Sequence, residues 1–458
     1  MSDEFAGRTV LVVGVAFAGA AAARALLARG ATVLLTDRRT TDAVPSLEAA
    51  GARFLGDLDS LPPGVDLLWV TPGVPPNHPL PVAALAAGIE VIGEVELAWR
   101  LRDAHAAPWL AVTGTNGKTT AVRMLEAILQ AAGLRAPAVG NVGVSIIDAV
   151  TGSERHDVLA VELSSYQLHW SSTVVPEAGA LLNLAPDHLD WHGSMGVYAL
   201  TKTKVWDSPV AIGNLDDEYV ARLLAGAESR AQGRKVGFTL NAPRPGQLGV
   251  ADGVLVDHAF SPEPAELIRA DEVRPTGAHN VANALAAAAL ARAHGVGAGS
   301  VREGLRAFVP DPHRNQFVVE RGGVGYVDDS KATNPHAALA SLGSYEHVVW
   351  IAGGQLKDAP VDDLVAAAAP HLRAVVLLGA DRAKIAAALA RHAPEIPVIE
   401  VARNDDGAMT EVVAAAAGLA RPGDTVLLAP AAASYDMFAG YAARGTAFTA
   451  AIDALAVP

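Results

Sequence analysis

The sequence predicts an α/β protein of three domains, on three observations. Apolar, β-branched runs alternate with longer amphipathic stretches almost from end to end, the pattern of strands separated by helices. The length of 458 residues suits about three domains at roughly 100–200 residues each. Prolines at 108, 310 and 312 fall between blocks of that pattern and divide the chain into residues 1–106, 107–309 and 310–458.

In the first block the expected strands are Arg8–Gly14, Ala31–Asp37 and Asp66–Val70, with a helix running through Arg29. The third strand runs into Thr71-Pro72-Gly73, a loop signal at the end where open α/β sheets take their ligands. The second block offers strands at Trp109–Thr113, Val158–Leu163 and Gly179–Leu184, a helix Tyr198–Trp206 and an alanine-rich helix Asn280–His294. In the third, strands are expected at Val324–Val327, His347–Ala352, Val375–Leu378 and Thr425–Ala429, and a last helix from about Tyr435 to Leu455. No fixed repeat or low-complexity linker interrupts them, so the hinges are short and the domains are expected to move as rigid bodies.

Composition narrows the function. A net charge of −14 argues against a nucleic-acid or anionic-membrane partner but leaves room for a local basic pocket. The absence of cysteine excludes disulfides and thiolate metal sites. No apolar run reaches the roughly 18 residues of a membrane span, and Met1-Ser2-Asp3-Glu4 does not open a signal peptide, so a cytoplasmic protein is expected.

The strongest local signal is Thr113-Gly114-Thr115-Asn116-Gly117-Lys118-Thr119-Thr120, between an apolar strand and a helix with Val122, Leu125, Ile128 and Leu129 on one face. Glycines let backbone N–H groups turn toward phosphate oxygens, a lysine neutralises β- and γ-phosphate charge, and the following Thr119 hydroxyl can reach Mg²⁺. Position 112 is Val where the strict pattern has Gly, so a plain glycine turn is the competing reading. The run is similar to the short phosphate loop of the muramyl ligase family and of the related folylpolyglutamate synthases. That resemblance implies a P-loop-type ATPase core in the central domain and amide synthesis through an acyl phosphate. Gly114, Thr115, Asn116, Gly117, Lys118, Thr119 and Thr120 would then hold ATP.

Glu162 opens Glu162-Leu163-Ser164-Ser165 at a strand end, where a carboxylate suits a hard cation, although a lone acid there is more often surface. In Asn183-Leu184-Ala185-Pro186-Asp187-His188-Leu189-Asp190-Trp191-His192-Gly193, His188 and His192 could in isolation be an i, i+4 metal pair. Both segments resemble family motifs. The likeness implies Glu162 on one Mg²⁺ beside Thr119, His188 near a second Mg²⁺ and the substrate carboxylate, and a structural His192. Lys202 matches the family lysine that takes up CO₂ to give a metal-binding carbamate. Lys204, two residues on, points to a different helix face. Lys118, His188 and Lys202 are thus the expected catalytic residues.

Further matches extend along the chain. Gly277-Ala278-His279-Asn280-Val281-Ala282-Asn283 resembles the stretch whose asparagines, here Asn280 and Asn283, reach adenine; an N-cap is the plainer reading of Asn280. Pro312-His313-Arg314 resembles the junction motif that places Arg314 on ATP. Asp329-Ser330-Lys331-Ala332-Thr333-Asn334-Pro335 resembles the D-glutamate-adding branch, which implies Asp329 on ribose and Lys331 and Thr333 at the amino-acid site. Lys357, Ser434, Tyr435 and Tyr441 fall in the other segments matching that site, where Ser434 could also cap the last helix. Ala432 stands for the family's cysteine and Asp358 for a glycine.

Gly14-Val15-Ala16-Phe17-Ala18-Gly19 approximates a nicotinamide-cofactor fingerprint and marks the first domain as Rossmann-like, as the third is by its strand pattern. Its central glycine is Ala16, and the resemblance supplies a different ligand, the UDP portion of UDP-N-acetylmuramoyl-L-alanine. Val15, Ala16, Asp37, Arg38, Arg39, Thr71, Pro72, Gly73, Asn141 and His188 would then contact that substrate. The chain is expected to act as a monomer on this substrate, D-glutamate and ATP in peptidoglycan precursor synthesis. A ligase for another amine and a silent nucleotide-binding regulator are the rival readings.

Overall fold

A computed structural model describes residues 4–227, 233–357, 359–405 and 407–455. They form two compact units, Met1–Glu272 with Ala282–Phe308, and Val273–Val281 with Val309–Pro458.

The first unit holds two sheets. The N-terminal sheet comprises β1 (Thr9–Val13), β2 (Thr32–Thr36), β3 (Arg53–Phe54), β4 (Leu67–Val70) and β5 (Glu90–Ile92), in the order β3-β2-β1-β4-β5 and parallel throughout. Its central strands are apolar without alternation because helices cover both faces. The helix Phe17–Ala28 lies against β1, and a methyl on Gly19 would sit 1.8 Å from the Gly14 carbonyl oxygen, so only glycine permits that approach. The order of the strands reverses between β1 and β4, which leaves the carboxyl-end loops after Val13, Thr36 and Val70 together at a switch point.

The central sheet has nine strands: β6 (Trp109–Thr113), β7 (Ala138–Gly140), β8 (Leu159–Glu162), β9 (Ala178–Leu181), β10 (Val210–Asn214), β11 (Arg234–Phe238), β12 (Gln247–Ala251), β13 (Val254–Asp257) and β14 (Ala265–Arg269). Their order is β14-β13-β12-β11-β10-β9-β6-β8-β7, antiparallel only at β12–β13 and β13–β14. Strand β6 is therefore flanked by β8 and β9, and the loops that follow all three emerge side by side. The helix Lys118–Ala131 buries Val122, Leu125, Ile128 and Leu129 as the periodicity predicts. The expected helix over 198–206 is observed as an α-helix Met195–Lys202 that tightens into a 3-10 turn, Thr203–Trp206.

The second unit carries β15 (Gln316–Arg321), β16 (Val324–Asp328), β17 (Val348–Gly353), β18 (Leu372–Leu378), β19 (Val398–Glu400) and β20 (Thr425–Leu428), ordered β15-β16-β20-β17-β18-β19 with only β15–β16 antiparallel. The last helix is Tyr441–Asp453, shorter than the sequence predicts. Residues 434–438 form a turn instead, with the Met437 and Phe438 amides on the Ser434 carbonyl, and Gly440 is the N-cap. Ser434 therefore does not cap the helix.

Candidate active site

The loop after β6 is braced from several sides by neighbouring side chains. Gly117 has φ +81°, and a methyl there would lie 2.3 Å from Asn283 Oδ1, so the Asn283 side chain packs directly on the loop. Asn183, at the end of the neighbouring β9 segment, brackets the loop from the other side: its Oδ1 accepts from the Asn116 amide at 2.8 Å and its Nδ2 donates to the Asn116 carbonyl at 3.1 Å. Thr115 Oγ1 lies 2.9 Å from the Tyr198 hydroxyl and accepts from the Ala185 amide. Lys118 Nζ donates to the Gly114 and Thr115 carbonyls at 3.0 and 2.8 Å. An amine already held on neutral carbonyls can exchange them for phosphate oxygens with a gain in charge pairing.

Next to this loop lie Glu162 and Lys202, both 1% exposed. Glu162 Oε1 accepts from Asn141 Nδ2 at 2.8 Å, while its Oε2 is buried with no hydrogen-bond partner. A buried carboxylate oxygen without a donor is costly, and a cation would satisfy it. The donor set fits Mg²⁺: Glu162 and the Thr119 hydroxyl supply hard oxygens, and Mg²⁺ keeps waters and substrate phosphates for its other positions. Among the described residues no three His, Asp or Glu side chains converge as a ready-made cage. Lys202 Nζ donates to the Gly114 carbonyl at 2.8 Å and lies 3.4 Å from Thr113 Oγ1. Burial first, and then the Lys118 charge, push its pKa well below the usual lysine range.

His188 has φ +53° and is the N-cap of the short helix Leu189–His192, its carbonyl accepting from the His192 amide at 3.0 Å, so it stands one turn before His192 but with a left-handed backbone that a regular helical metal pair does not have. Its ring lies 4.7 Å from the Tyr166 ring, and Nε2 is 3.4 Å from Asp187. His192 is buried and hydrogen-bonded to Ser165 Oγ at 2.9 Å, in accord with a structural part. Burial pushes its pKa down to about 4, as it does for His169.

At the switch point of the N-terminal sheet, Asp37 Oδ2 accepts from the Val15 amide at 2.7 Å and Oδ1 from the Arg39 amide at 3.2 Å. Asp37 thus holds the Val15-Ala16 turn closed. Arg38 and Arg39 are exposed beside it, and the Thr71-Pro72-Gly73 loop packs Thr71 against Gly14.

In the second unit, Asp329 Oδ1 accepts from the Asn315 amide, and burial pushes its carboxyl up to about 6. Lys331 Nζ sits 3.9 Å over the Tyr441 ring. Asn334 caps the helix Pro335–Leu342, which fixes the turn carrying the half-buried Thr333. Arg314 is half-buried, with Nε 4.0 Å from Asp311. Asn280 Nδ2 donates to the Thr276 carbonyl, and the helix already begins at Ala278, so Asn280 is not its N-cap. Ser434 is buried, Tyr435 is 70% exposed, and the exposed Lys357 takes φ +51°. Ala432 is fully buried beside the Gly354 turn; Asp358 lies outside the described residues.

Three family models match consecutive parts of the chain: Mur ligase MurD-like N-terminal domain over residues 8–93, Mur ligase middle domain over 112–291, and Mur ligase glutamate ligase domain over 313–432. A relative from Thermobifida fusca, named UDP-N-acetylmuramoylalanine–D-glutamate ligase, is 56% identical over 465 residues, covering 99% of this chain and 100% of its own. The chain belongs to the Mur ligase family. A relative of the same name from Streptomyces coelicolor is 54% identical over 99% of both chains. The fold is shared with a pseudomurein peptide ligase type C from Methanothermus fervidus (TM-score 0.59, 18% identity, covering 92% of this chain and 96% of that one). It is shared also with the UDP-N-acetylmuramate-alanine ligase of Thermotoga maritima (TM-score 0.57, 18% identity, 97% and 99%). The expected α/β fold, with Rossmann-like outer domains and a P-loop-type centre, holds for this Mur ligase.

Two cations, Lys204 and Arg444, have buried partners that the sequence did not suggest. Lys204 donates to the carbonyls of Leu168, His169 and Ser171 and so caps the helix Ser165–His169. Arg444, 1% exposed, joins Ser330 Oγ and the carbonyls of Ser330, Gly353 and Ala432, with burial bringing its pKa down to about 10. Nothing in their local sequence distinguishes them from solvated surface cations; their partners are carbonyls distant in the chain.

Proposed function

We propose that this Mur ligase is the cytoplasmic, ATP-dependent ligase that adds D-glutamate to UDP-N-acetylmuramoyl-L-alanine, a step in building the peptidoglycan precursor on which wall growth, cell shape and division depend. The observation that carries the chemistry is the meeting of a phosphate loop with a buried, half-satisfied Glu162 and a buried Lys202. The relatives' shared name and the Asp329–Pro335 segment support D-glutamate as the amine donor.

The L-alanyl carboxylate attacks the γ-phosphorus of ATP; the bond to the bridging oxygen breaks, ADP leaves, and an acyl phosphate forms. Lys118 moves from the loop carbonyls to the β- and γ-phosphates, where it offsets the charge that builds as two anions approach. The D-glutamate amine then attacks the acyl carbon, loses a proton, and inorganic phosphate departs. Thr119, Glu162, His188 and a carbamylated Lys202 would hold two Mg²⁺ ions, which would supply charge neutralisation for the transferring phosphoryl group. A lysine whose burial favours the neutral amine offers the free electron pair needed to add CO₂, giving a carbamate anion and a released proton. Asp37, Arg38, Arg39, Val15, Ala16, Thr71, Pro72, Gly73 and Asn141 hold the UDP-sugar portion. Asn280, Asn283, Arg314 and Asp329 hold ATP. Lys331, Thr333, Lys357, Ser434, Tyr435 and Tyr441 hold D-glutamate. All these residues belong to one chain, and a monomer is the active form.

A phosphate-release assay with ATP and the UDP-linked acceptor tests this reading. Release with D-glutamate and not with L-glutamate is the expected result, and the reverse preference would overturn the stereochemical assignment.

A further inference from the structure

We propose that Glu94, at the start of the helix that follows the N-terminal sheet, is a positioning residue that fixes from behind both the loop carrying the metal-facing Glu162 and the loop whose Asn141 donates to it. The proposal rests on the metal reading given above.

Glu94 is the first residue of the helix Glu94–Leu101 that follows β5, and it is 4% exposed. Its carboxylate reaches out of the N-terminal sheet's layer and into the central sheet's loops. Oε1 accepts from Ser145 Oγ at 2.9 Å, and the Ile146 amide also donates to the carboxylate. Oε2 accepts from Gln167 Nε2 at 3.3 Å. These partners are the far ends of two short loops that begin at the carboxyl ends of adjacent strands. From β7 the chain runs Gly140-Asn141-Val142-Gly143-Val144-Ser145, and Asn141 Nδ2 donates to Glu162. From β8 it runs Glu162-Leu163-Ser164, and Gln167 Oε1 accepts from the Ser164 amide while Ser164 Oγ accepts from the Gln167 amide.

One carboxylate therefore anchors both the segment that carries Glu162 and the segment whose Asn141 donates to Glu162 Oε1. Ser145 and Gln167 are themselves 1% and 3% exposed, so no water replaces the carboxylate if it is lost. Glu94 touches neither Glu162 nor substrate. Its effect passes through loop placement, as partners behind a metal ligand tune affinity by holding the ligand in place. The neighbouring Glu96 provides a natural contrast. It is equally buried and also spans the two sheets, but it accepts from Ser172, Thr173 and Arg100, away from both loops.

The experiment measures Mn²⁺ binding in the presence of ADP by electron paramagnetic resonance, on the full chain, alongside thermal stability. Glu94→Gln leaves one acceptor oxygen and turns an N–H donor toward the Ser145, Ile146 or Gln167 donors. It is expected to weaken Mn²⁺ binding by about tenfold. Glu96→Gln is expected to lower the melting temperature without changing Mn²⁺ affinity. Mn²⁺ affinity unchanged in Glu94→Gln, or reduced to the same degree in Glu96→Gln, overturns the proposal. If Glu94→Gln does not fold, Ser145→Ala and Gln167→Leu cut the two branches separately and are judged by the same criterion. Glu162→Gln separates the two levels: if it leaves Mn²⁺ affinity intact the metal reading fails, whereas a loss there without one in Glu94→Gln rejects only the positioning role.

Discussion

Lys202 and Lys204 stand two positions apart and have opposite fates. Lys202 turns inward to the Gly114 carbonyl, where desolvation favours the neutral amine; Lys204 spends its charge on three carbonyls at a helix end. Lys202→Ala is expected to cut turnover by at least about a hundredfold, on the scale of losing one group that stabilises charge in the transition state. Added short carboxylates should restore part of it, and undiminished turnover in that variant would rule out the carbamate. Lys204→Met is expected to spare turnover and to lower unfolding free energy by about 2 kcal/mol, the worth of a charged hydrogen-bond donor lost from buried carbonyls. Denaturant melts of the two variants check the contrast.

At the scale of elements, the phosphate loop depends on what leans on it. Strand order places β6 between β8 and β9, so Asn183 and Tyr198 brace the loop while Asn283 packs onto Gly117. Gly117→Ala would place a methyl in a left-handed residue and against Asn283 Oδ1. The expected outcome is loss of ATP binding, at least about tenfold by calorimetry, with a melting temperature lowered by a few degrees, about 1–2 kcal/mol of αL strain. A variant that binds ATP normally would show that the loop adapts. In the second unit Arg444 has the equivalent bracing part, drawing the Ser330, Gly353 and Ala432 turns together. Arg444→Lys keeps the charge but cannot span three turns with one ammonium, and should raise KM for D-glutamate more than it lowers stability.

For the whole molecule, acid should be destabilising well above the carboxylate range. His169 and His192 are held near 4 in the folded chain against 6.5 in the unfolded one. The unfolded state therefore binds more protons between those values, and stability present above about 6.5 is lost as pH falls toward 4. Melting temperature should fall across that window, and His169→Phe should flatten its share of the slope. A constant melting temperature from pH 7 to 4.5 would contradict this.

The sequence by itself determined the fold class and the position of the glycine–lysine loop between its strand and helix. Strand identity follows from local apolar runs, and a phosphate loop is a contiguous stretch whose glycines and lysine work at fixed spacing, so Gly114, Gly117 and Lys118 were legible as text. Tertiary structure alone decided which lysine is buried, which oxygen of Glu162 lacks a donor, and that Ser434 forms a turn and leaves the cap to Gly440. It alone gives Glu94, Lys204 and Arg444 their partners from distant parts of the chain. Desolvation and hydrogen bonding depend on atoms brought from distant parts of the chain, and no local pattern of residues encodes what will surround them.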